Sequence, residues 1–387
     1  MIDRITNLIT SLRLTVVCLA LGILLVWVGT VAQSDEGLYQ AQSRYFKQWL
    51  VVGITLFGHR IPIALPGGYL IGTTLLVNLV AAHIKRFRWG WKKLGIHITH
   101  AGIILLLLGQ LTTDLLSRES QMRFAEGESR SYSENSQLCE LVFTTDTAKP
   151  GEEEVVAIPE SMLRPGAEIR HPKLPVSLRV KEFHPNARLR QRAPMMDTNP
   201  PPATLGVGPR VTLTPVPETR AMDDRNVPSA VLELSGVPTA AGTWVVYPFL
   251  EPQEFKVGDR TWRLGLRWER YYKPFTVQLL KTTHEVYRGT DIPKNFQSRV
   301  RIENPARREN REVEIYMNNP LRYEGLTFYQ YQMGRDELDA TKGSSTLQVV
   351  RNPSWLTPYV GCGAVGFGLV FQFMTHLLGF VAKRRKA

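Results

Sequence analysis

The sequence predicts a protein that combines transmembrane α-helices with a soluble β-rich domain. Its apolar residues are concentrated in four runs, three near the N-terminus and one near the C-terminus, and the long stretch between the third and fourth runs is polar. Short segments of alternating polarity recur along that stretch. We therefore expect four transmembrane helices and a large, sandwich-like β-rich extracytoplasmic domain inserted between helices 3 and 4.

The four apolar runs have the length that a membrane span requires. We predict helices over about 12–32, 63–83 and 94–116, and a fourth within 358–387 that ends in a basic tail. Each run is close to the ~20 residues that cross ~30 Å of hydrocarbon. The first run is longer than the roughly 7 to 15 apolar residues of a signal peptide, so we expect it to be a retained helix. The predicted organisation is a membrane region over 1–116, a β-rich domain over 117–357, and the last helix with its tail over 358–387.

Two groups of basic residues set the predicted orientation. The first is Lys85, Arg86, Arg88, Lys92 and Lys93, after the second run, and the other is Lys383, Arg384, Arg385 and Lys386 at the end of the chain. By the positive-inside rule both belong in the cytoplasm, as does the N-terminus with Arg4 and Arg13. The formal net charge of +12 is then explained by topology and by attraction to anionic membrane lipid, and we expect no nucleic-acid partner.

Segment 38–57, between the first two predicted helices, mixes aromatic residues with cations. Tyr45 and Trp49 stand close to Arg44 and Lys47. Aromatic rings and long cationic side chains favour the headgroup layer of a membrane, so we predict an amphipathic helix in the outer interface.

The middle of the chain carries the pattern of β-strands. Alternation of apolar and polar residues marks 176–180, 262–268, 300–302 and 313–315. This period is typical of half-buried strands, and a domain of about 240 residues is large enough to bury its own core. Residues 193–217 contain three consecutive prolines, so we predict a long surface loop there.

Cysteine usage and motif content exclude several classes of enzyme. Cys18 and Cys362 lie in predicted helices, Cys139 is alone in the domain, and the sequence has no C-x-x-C. The chain is therefore neither a dithiol oxidoreductase of that type nor a cytochrome with its own haem-attachment motif. The domain also lacks P-loop, G-x-S-x-G and H-E-x-x-H motifs, so no catalytic residue is predicted.

Histidine is the residue type that points to chemistry. His97 and His100 begin the third helix, His83 ends the second, and His376 lies seven residues before Lys383 in the fourth. Three helices thus bring histidine to the cytoplasmic part of the membrane, where an ionisable side chain is costly and by default functional. Neutral imidazole is a common axial ligand of haem iron. These four histidines are therefore candidate ligands of a haem held between the helices, and no other metal is predicted.

Each of these residues also has a simpler interpretation. His83 and His97 are close enough to the basic loop to be wetted by headgroups, and His376 can hydrogen-bond a neighbouring helix. His100 lies almost one turn deeper than His97 and is the first choice as a ligand. The basic residues Lys85, Arg86, Arg88, Lys92 and Lys93 likewise serve either as a topology signal or as a cationic mouth for haem propionates.

Several blocks of sequence recur in a known family. They are Ile96-His97-Ile98-Thr99-His100-Ala101-Gly102 in the third helix and, late in the domain, Tyr287-Arg288-Gly289-Thr290, Met317-Asn318-Asn319-Pro320-Leu321 and Gly325-Leu326-Thr327-Phe328-Tyr329-Gln330. With the order of helices and domain, these blocks make the chain resemble the ResB/CcsB family of cytochrome c biogenesis, in the System II pathway.

The resemblance implies a function in haem delivery. That family works with a CcsA/ResC-type membrane subunit, and together they move haem b across the membrane and present it to apocytochrome c for thioether attachment. The resemblance implies transient, non-covalent binding of haem b, with His100 at the family's axial-ligand position and His97 as its rival. It also implies a thioredoxin-like thiol reductase as a further partner, and a place in the bacterial inner membrane with both termini cytoplasmic. The chain would be one component of a synthase complex and not an enzyme by itself.

Three functions remain open from the sequence. The chain is a haem-binding subunit of a cytochrome c synthase, or a scaffold without haem that docks apocytochrome and stabilises the partner, or a membrane haem protein that carries electrons. They differ in whether haem binds at His100 and in whether cytochrome maturation needs the chain.

Overall fold

The computed structural model describes residues 2–149, 151–193, 197–219, 225–289, 293–335 and 342–385. The chain forms two compact units. One comprises Met1–Arg118 and Asn352–Ala387 and is called the membrane unit here, and the other comprises Glu119–Thr219 and Asp224–Arg351 and is called the β unit.

The membrane unit contains six helices and one β-hairpin within the described residues. The helices are α1 (Ile2–Ile9), α2 (Leu12–Glu36), α3 (Leu38–Ala41), α4 (Gly68–Arg86), α5 (Leu94–Leu116) and α6 (Thr357–Arg384), and the strands are β1 (Leu50–Leu56) and β2 (His59–Pro66). Four helical segments are long and apolar enough to cross a membrane: α2, α4, Trp91–Leu116 and α6. The described chain therefore has the four apolar helices that the sequence predicted. Helix α2 continues to Glu36 and not to 32, and α4 begins at Gly68 and not at 63.

The α5–α6 pair is built on glycine. Gly95 and Gly102 of α5 face Gly368 and Gly361 of α6, and a Cβ added at Gly95 would lie 2.6 Å from the Gly368 carbonyl oxygen. Small residues let two helix backbones approach closely, which is how helices associate where lipid removes the hydrophobic driving force. This face of α5 packs against α6, so the other faces of α5 are available for contacts with other elements.

The predicted interfacial helix over 38–57 is wrong in its second half. Only α3 and the π-helical turn Gln42–Phe46 are helical, and β1 and β2 form an antiparallel hairpin from Leu50 to Pro66. The sequence of β1 is rich in β-branched residues, which favour strands, and Phe57 and Gly58 at its end both adopt positive φ. Because β2 occupies His59–Pro66, the next helix begins at Gly68 and not at 63.

The β unit contains the remaining strands. They are β3 (Arg118–Ala125), β4 (Ser129–Asp146), β5 (Glu153–Pro159), β6 (Glu168–Ile169), β7 (Ser177–His184), β8 (Ala187–Gln191), β9 (Val211–Pro215), β10 (Ser229–Ser235), β11 (Gly242–Val246), β12 (Gln253–Val257), β13 (Arg260–Val286), β14 (Pro293–Asn304), β15 (Glu309–Tyr316), β16 (Leu321–Tyr323), β17 (Leu326–Arg335) and β18 (Gly343–Arg351). The large β-rich unit expected from the alternating segments is therefore present.

Two sheets carry most of these strands. The larger has the order β15-β14-β13-β4-β3-β18-β17-β16, with β5 added on β4 and β12 on β13, and the smaller has the order β11-β10-β7-β6. The first core lies between the two sheets and includes Phe143, Leu178, Leu232 and Trp262. A second core, with Phe124, Val277, Val300 and Phe328, lies within the larger sheet where it folds over on itself. The 27-residue strand β13 contributes to both cores.

The predicted loop over 193–217 is partly ordered as a strand. Residues 194–196 lie outside the described residues, but β9 pairs with β8. Val211 and Ala203 are buried with Val245 in a small apolar cluster. Burial of these side chains outweighs the local effect of the prolines.

Candidate functional site

Three of the four predicted histidines come together. His83 lies in the last turn of α4, and His97 and His100 lie in the first two turns of α5. Residues three apart project from about the same face of a helix, so both α5 histidines reach the end of α4. The ring centroid of His83 is 5.1 Å from that of His97 and 5.5 Å from that of His100.

The hydrogen bonds of the two α5 histidines assign their ring nitrogens. His100 Nδ1 is 2.7 Å from the Ile96 carbonyl oxygen, and His97 Nε2 is 3.1 Å from the Arg88 carbonyl oxygen. A carbonyl oxygen only accepts, so each of these nitrogens donates its proton, and the other nitrogen of a neutral ring carries a lone pair. His97 Nδ1 is buried without a hydrogen-bond partner, and the described residues give His100 Nε2 none either. A backbone carbonyl is also one of the groups that orient histidines in metal sites.

A cavity of about 330 Å³ adjoins the histidines. Its wall is contributed by α2, α4, α5 and the residues next to them, namely Thr10, Leu12, Thr15, Asn78, Leu79, Ala82, His83, Arg86, Lys93, Ile96, His97 and His100. The wall thus combines aliphatic side chains, three imidazoles and two cations. Such a mixed lining suits a ligand that is mostly apolar and carries a few polar groups.

Asn78 is a structural residue of this wall whose role sequence reasoning missed. It is 1% exposed, its amide nitrogen donates to the Ile9 carbonyl (2.5 Å) and the Ser11 carbonyl (3.1 Å), and its amide oxygen accepts from the Thr15 hydroxyl (2.5 Å). Asn78 therefore joins α4 to the start of α2 and fixes one side of the cavity. The sequence did contain a signal for this role, namely a single amide side chain within an apolar run. A polar group inside a membrane needs a hydrogen-bond partner, so a contact with another helix could have been expected.

The structure separates His376 from the other histidines. His376 is exposed on α6, and its Nε2 accepts from the Gln372 side-chain nitrogen at 2.8 Å. Gln372 in turn donates to the Lys92 carbonyl and accepts from the Ile96 N–H. His376 does not line the cavity. The simpler interpretation of His376 was a hydrogen bond to a polar group on a neighbouring helix. It does form such a bond, but with Gln372 of its own helix.

The five basic residues of the predicted mouth divide into two sets. Arg86 and Lys93 line the cavity. Lys85 instead donates to the Asn7 and Thr10 side chains, and Arg86 also donates to the Thr10 carbonyl. Arg88 and Lys92 contribute backbone carbonyls to the site through the bonds described above, and they do not line the cavity. Part of the basic loop therefore fastens α1 to α4.

Within the described part of the chain, the histidine cluster does not form a metal site held by protein side chains alone. Among the described residues, no group of three histidine, cysteine or acidic side chains could hold a metal ion. Haem brings its own equatorial nitrogens and takes axial imidazoles from the protein. The His83 and His100 rings are stacked with 29° between their planes, so they turn faces and not nitrogens toward each other. His83 and His100 therefore do not ligate one iron together in this arrangement.

The β unit offers no second site of this kind among its described cysteines and histidines. Cys139 is buried at 1% exposure, its backbone N–H donates to Glu160, and burial followed by the nearby Glu160 charge raises the pKa of its thiol. A buried thiol with a raised pKa stays protonated and unreactive.

Comparison with known proteins places the family match in the β unit. Residues 249–343 match the model of the ResB-like family. Protein NrfI of Wolinella succinogenes is 29% identical over 101 residues, which is 26% of this chain and 11% of NrfI. The chain therefore spans only a small part of the length of that relative. The matched segment contains the three late blocks of sequence on which the resemblance rested, so over residues 249–343 the chain is similar to the ResB-like family.

Proposed function

We propose that the chain is a membrane subunit of a System II cytochrome c synthase, which helps to move haem across the membrane and to present it to apocytochrome c. The ResB-like match and the similarity to NrfI support a role in cytochrome c biogenesis. The finer proposal rests on the histidine cluster. His97 and His100 each bond one ring nitrogen to a main-chain carbonyl and keep the other free of hydrogen bonds to the described residues, beside a cavity between helices.

The residues of the cluster then have distinct roles. His100 would hold the haem iron, with His97 as the alternative, and the carbonyls of Ile96 and Arg88 fix the tautomer of the two rings. Arg86 and Lys93 in the cavity wall receive the propionates. The thioether chemistry is supplied by the haem vinyls and the substrate thiols. A second ligand would come from a CcsA/ResC-type partner or from His376.

The test is the visible spectrum of the chain purified in mild detergent with its CcsA/ResC-type partner. We expect a low-spin haem spectrum for the wild type and loss of most of it for His100→Ala, because the iron loses a ligand. Free imidazole added to His100→Ala should restore the spectrum, since it can occupy the vacated position. A variant that merely unfolds would not recover.

His376→Ala distinguishes the two possible sources of the second ligand. It removes an imidazole from the same membrane unit but outside the cluster, so the haem content should stay close to that of the wild type if the partner supplies the second ligand. The proposal fails if no haem co-purifies with the wild-type complex, or if the double variant His97→Ala, His100→Ala keeps the full spectrum.

A scaffold without haem is the second candidate. The observation that favours it is the position of the family match, which lies wholly within the β unit and includes none of the clustered histidines. On this alternative the β unit docks apocytochrome and the partner. Cytochrome maturation in cells would then survive His100→Ala, and deletion of the chain would abolish it.

A further inference from the structure

The hairpin formed by β1 and β2 is fixed to the ends of two long helices. At its base, the Gly67 N–H donates to the Trp49 carbonyl and the Tyr69 N–H to the Gln48 carbonyl, which joins the hairpin to the first turn of α4. At its tip, the Gly58 N–H donates to Asp35 near the end of α2 at 2.9 Å. The hairpin is therefore positioned by both helices.

Buried polar contacts make this attachment rigid. Glu36 is 3% exposed and forms an ion pair with Arg44, which also donates to the Gly53 carbonyl of β1 at 2.7 Å. The Tyr45 hydroxyl accepts from the Thr55 N–H at 2.9 Å. Breaking this pair would leave the Glu36 charge buried without a partner, which is costly, so the hairpin and the end of α2 form one body.

The depth of the hairpin follows from helix length. Asp114 pairs with Lys47, just before the hairpin, at 2.7 Å and accepts a hydrogen bond from Tyr69. Asp114 lies twenty residues after Leu94 at the start of α5, which is about 30 Å at ~1.5 Å per residue. That is the thickness of the hydrocarbon core. The base of the hairpin therefore lies where the hydrocarbon ends, on the side away from the histidines.

The exposed side of the hairpin changes in polarity along its length. Near the base, Leu50 and Val52 are 56% and 67% exposed, and Val52 pairs with Ala64 across the strands. Nearer the tip the cross-strand pair is Thr55 with Arg60. Val51 and Ile54 point to the other side and are buried against α2. The base, which lies at the edge of the hydrocarbon, is thus apolar on this side, and the turn at the tip adds one exposed apolar ring, Phe57 at 75%.

We propose that the base of this hairpin is a lipid-binding element: Leu50, Val52 and Ala64, with Trp49 beside them, lie in the boundary between headgroups and acyl chains. The occupant is phospholipid and not a protein partner, because the apolar base lies at the depth where the hydrocarbon ends. Tryptophan and apolar side chains favour this boundary, and arginine favours the headgroup layer above it. The hairpin then holds the helices at a fixed depth.

Site-directed spin labelling tests the proposal on the full chain alone in phosphatidylethanolamine and phosphatidylglycerol nanodiscs. The background is Cys362→Ser, because Cys362 is exposed whereas Cys18 and Cys139 are buried. The label is placed on Val52→Cys or Leu50→Cys, with Arg60→Cys as the matched control on the same hairpin. All three positions are exposed, so the substitutions leave the core intact.

We expect the labels at 52 and 50 to be relaxed mainly by oxygen, which concentrates in lipid, and the label at 60 mainly by a water-soluble nickel chelate. Equal access of nickel to all three positions would show that the face is in water and would overturn lipid binding in favour of a protein-docking surface. An oxygen-dominated signal at 60 as well would overturn the gradient. Neither result depends on whether the chain binds haem.

Discussion

Single polar residues account for much of the internal organisation of both units. In the membrane unit, Asn78 satisfies two carbonyls and one hydroxyl at the start of α2. In the β unit, the Lys273 amine donates to the Ser133 hydroxyl at 2.6 Å and to the Tyr271 carbonyl at 3.0 Å. The environment of Lys273 is costly for a charge, because burial lowers the pKa of this amine to about 8.

The pKa of Lys273 predicts a pH-dependent stability. The folded-state pKa of about 8 lies below the ordinary value of about 10.4, so the folded state favours the neutral amine. The cost of the buried charge is fully present below pH 8 and is relieved as pH rises to about 10.4, where the unfolded state also loses its proton. The whole difference corresponds to at most roughly 3 kcal/mol.

Thermal melting of the wild type and of Lys273→Met checks this prediction. The methionine removes the charge and keeps the length of the side chain, so the variant should melt at a higher temperature than the wild type at pH 7.5. The gap should shrink as pH rises from 8 to 10. A gap that stays constant over this range would mean that Lys273 does not titrate there.

Helix α5 has two faces with different functions. Its glycines pack against α6, and its histidines face the end of α4. The close α5–α6 contact therefore fixes the rotation of α5 and thereby the direction of His97 and His100. The histidine cluster therefore depends on the glycine face of α5, although the glycines themselves have no side chain that could bind a ligand.

Gly102→Ala should destabilise this pair. A Cβ there would lie 2.8 Å from Val365 Cγ2 and 2.9 Å from the Gly361 carbonyl oxygen, so the helices must separate, at a cost of about 1–3 kcal/mol. Gly363→Ala on α6 is the control, since a Cβ there meets nothing within 4 Å. We expect a clear drop in melting temperature in detergent for the first variant and little change for the second. Equal effects would argue against the glycine contact.

At the scale of the whole molecule, the family match and the histidine cluster lie in different units. The match lies in the β unit and the cluster in the membrane unit. Substitutions in the two units are therefore expected to affect different steps of the proposed function. The four apolar helices fit a membrane protein, and the positive-inside rule predicts which side each unit occupies.

Reporter insertions test that orientation. Alkaline phosphatase, which is active only outside the cytoplasm, should be active when inserted at Gly258, a turn glycine with open space around it. Green fluorescent protein fused after Arg385 should fluoresce, because the basic tail is predicted to be cytoplasmic. The reverse pattern would contradict the prediction and would place the histidines at the outer side.

The sequence by itself determined the elements whose signal is local and strong. Long apolar runs predicted the four helices because only a helix satisfies the backbone within lipid. Alternation predicted the β unit because one face of each strand is buried. Histidines three apart on α5 share a face by helical periodicity. Three of the four blocks that carried the family resemblance lie within the later match, and the block over 96–102 lies outside it.

Only the tertiary structure decided features that depend on distant partners. Strands β1 and β9 form because β2 and β8 pair with them, and that pairing overrides an amphipathic pattern in one case and prolines in the other. The glycine contact between α5 and α6 sets the rotation of α5. This rotation directs His97 and His100 toward His83 of α4 and not toward His376 of α6. Asn78 has partners 63 to 69 residues away. Contacts of this kind leave no periodic trace in the sequence, so they can be found only once the chain is folded.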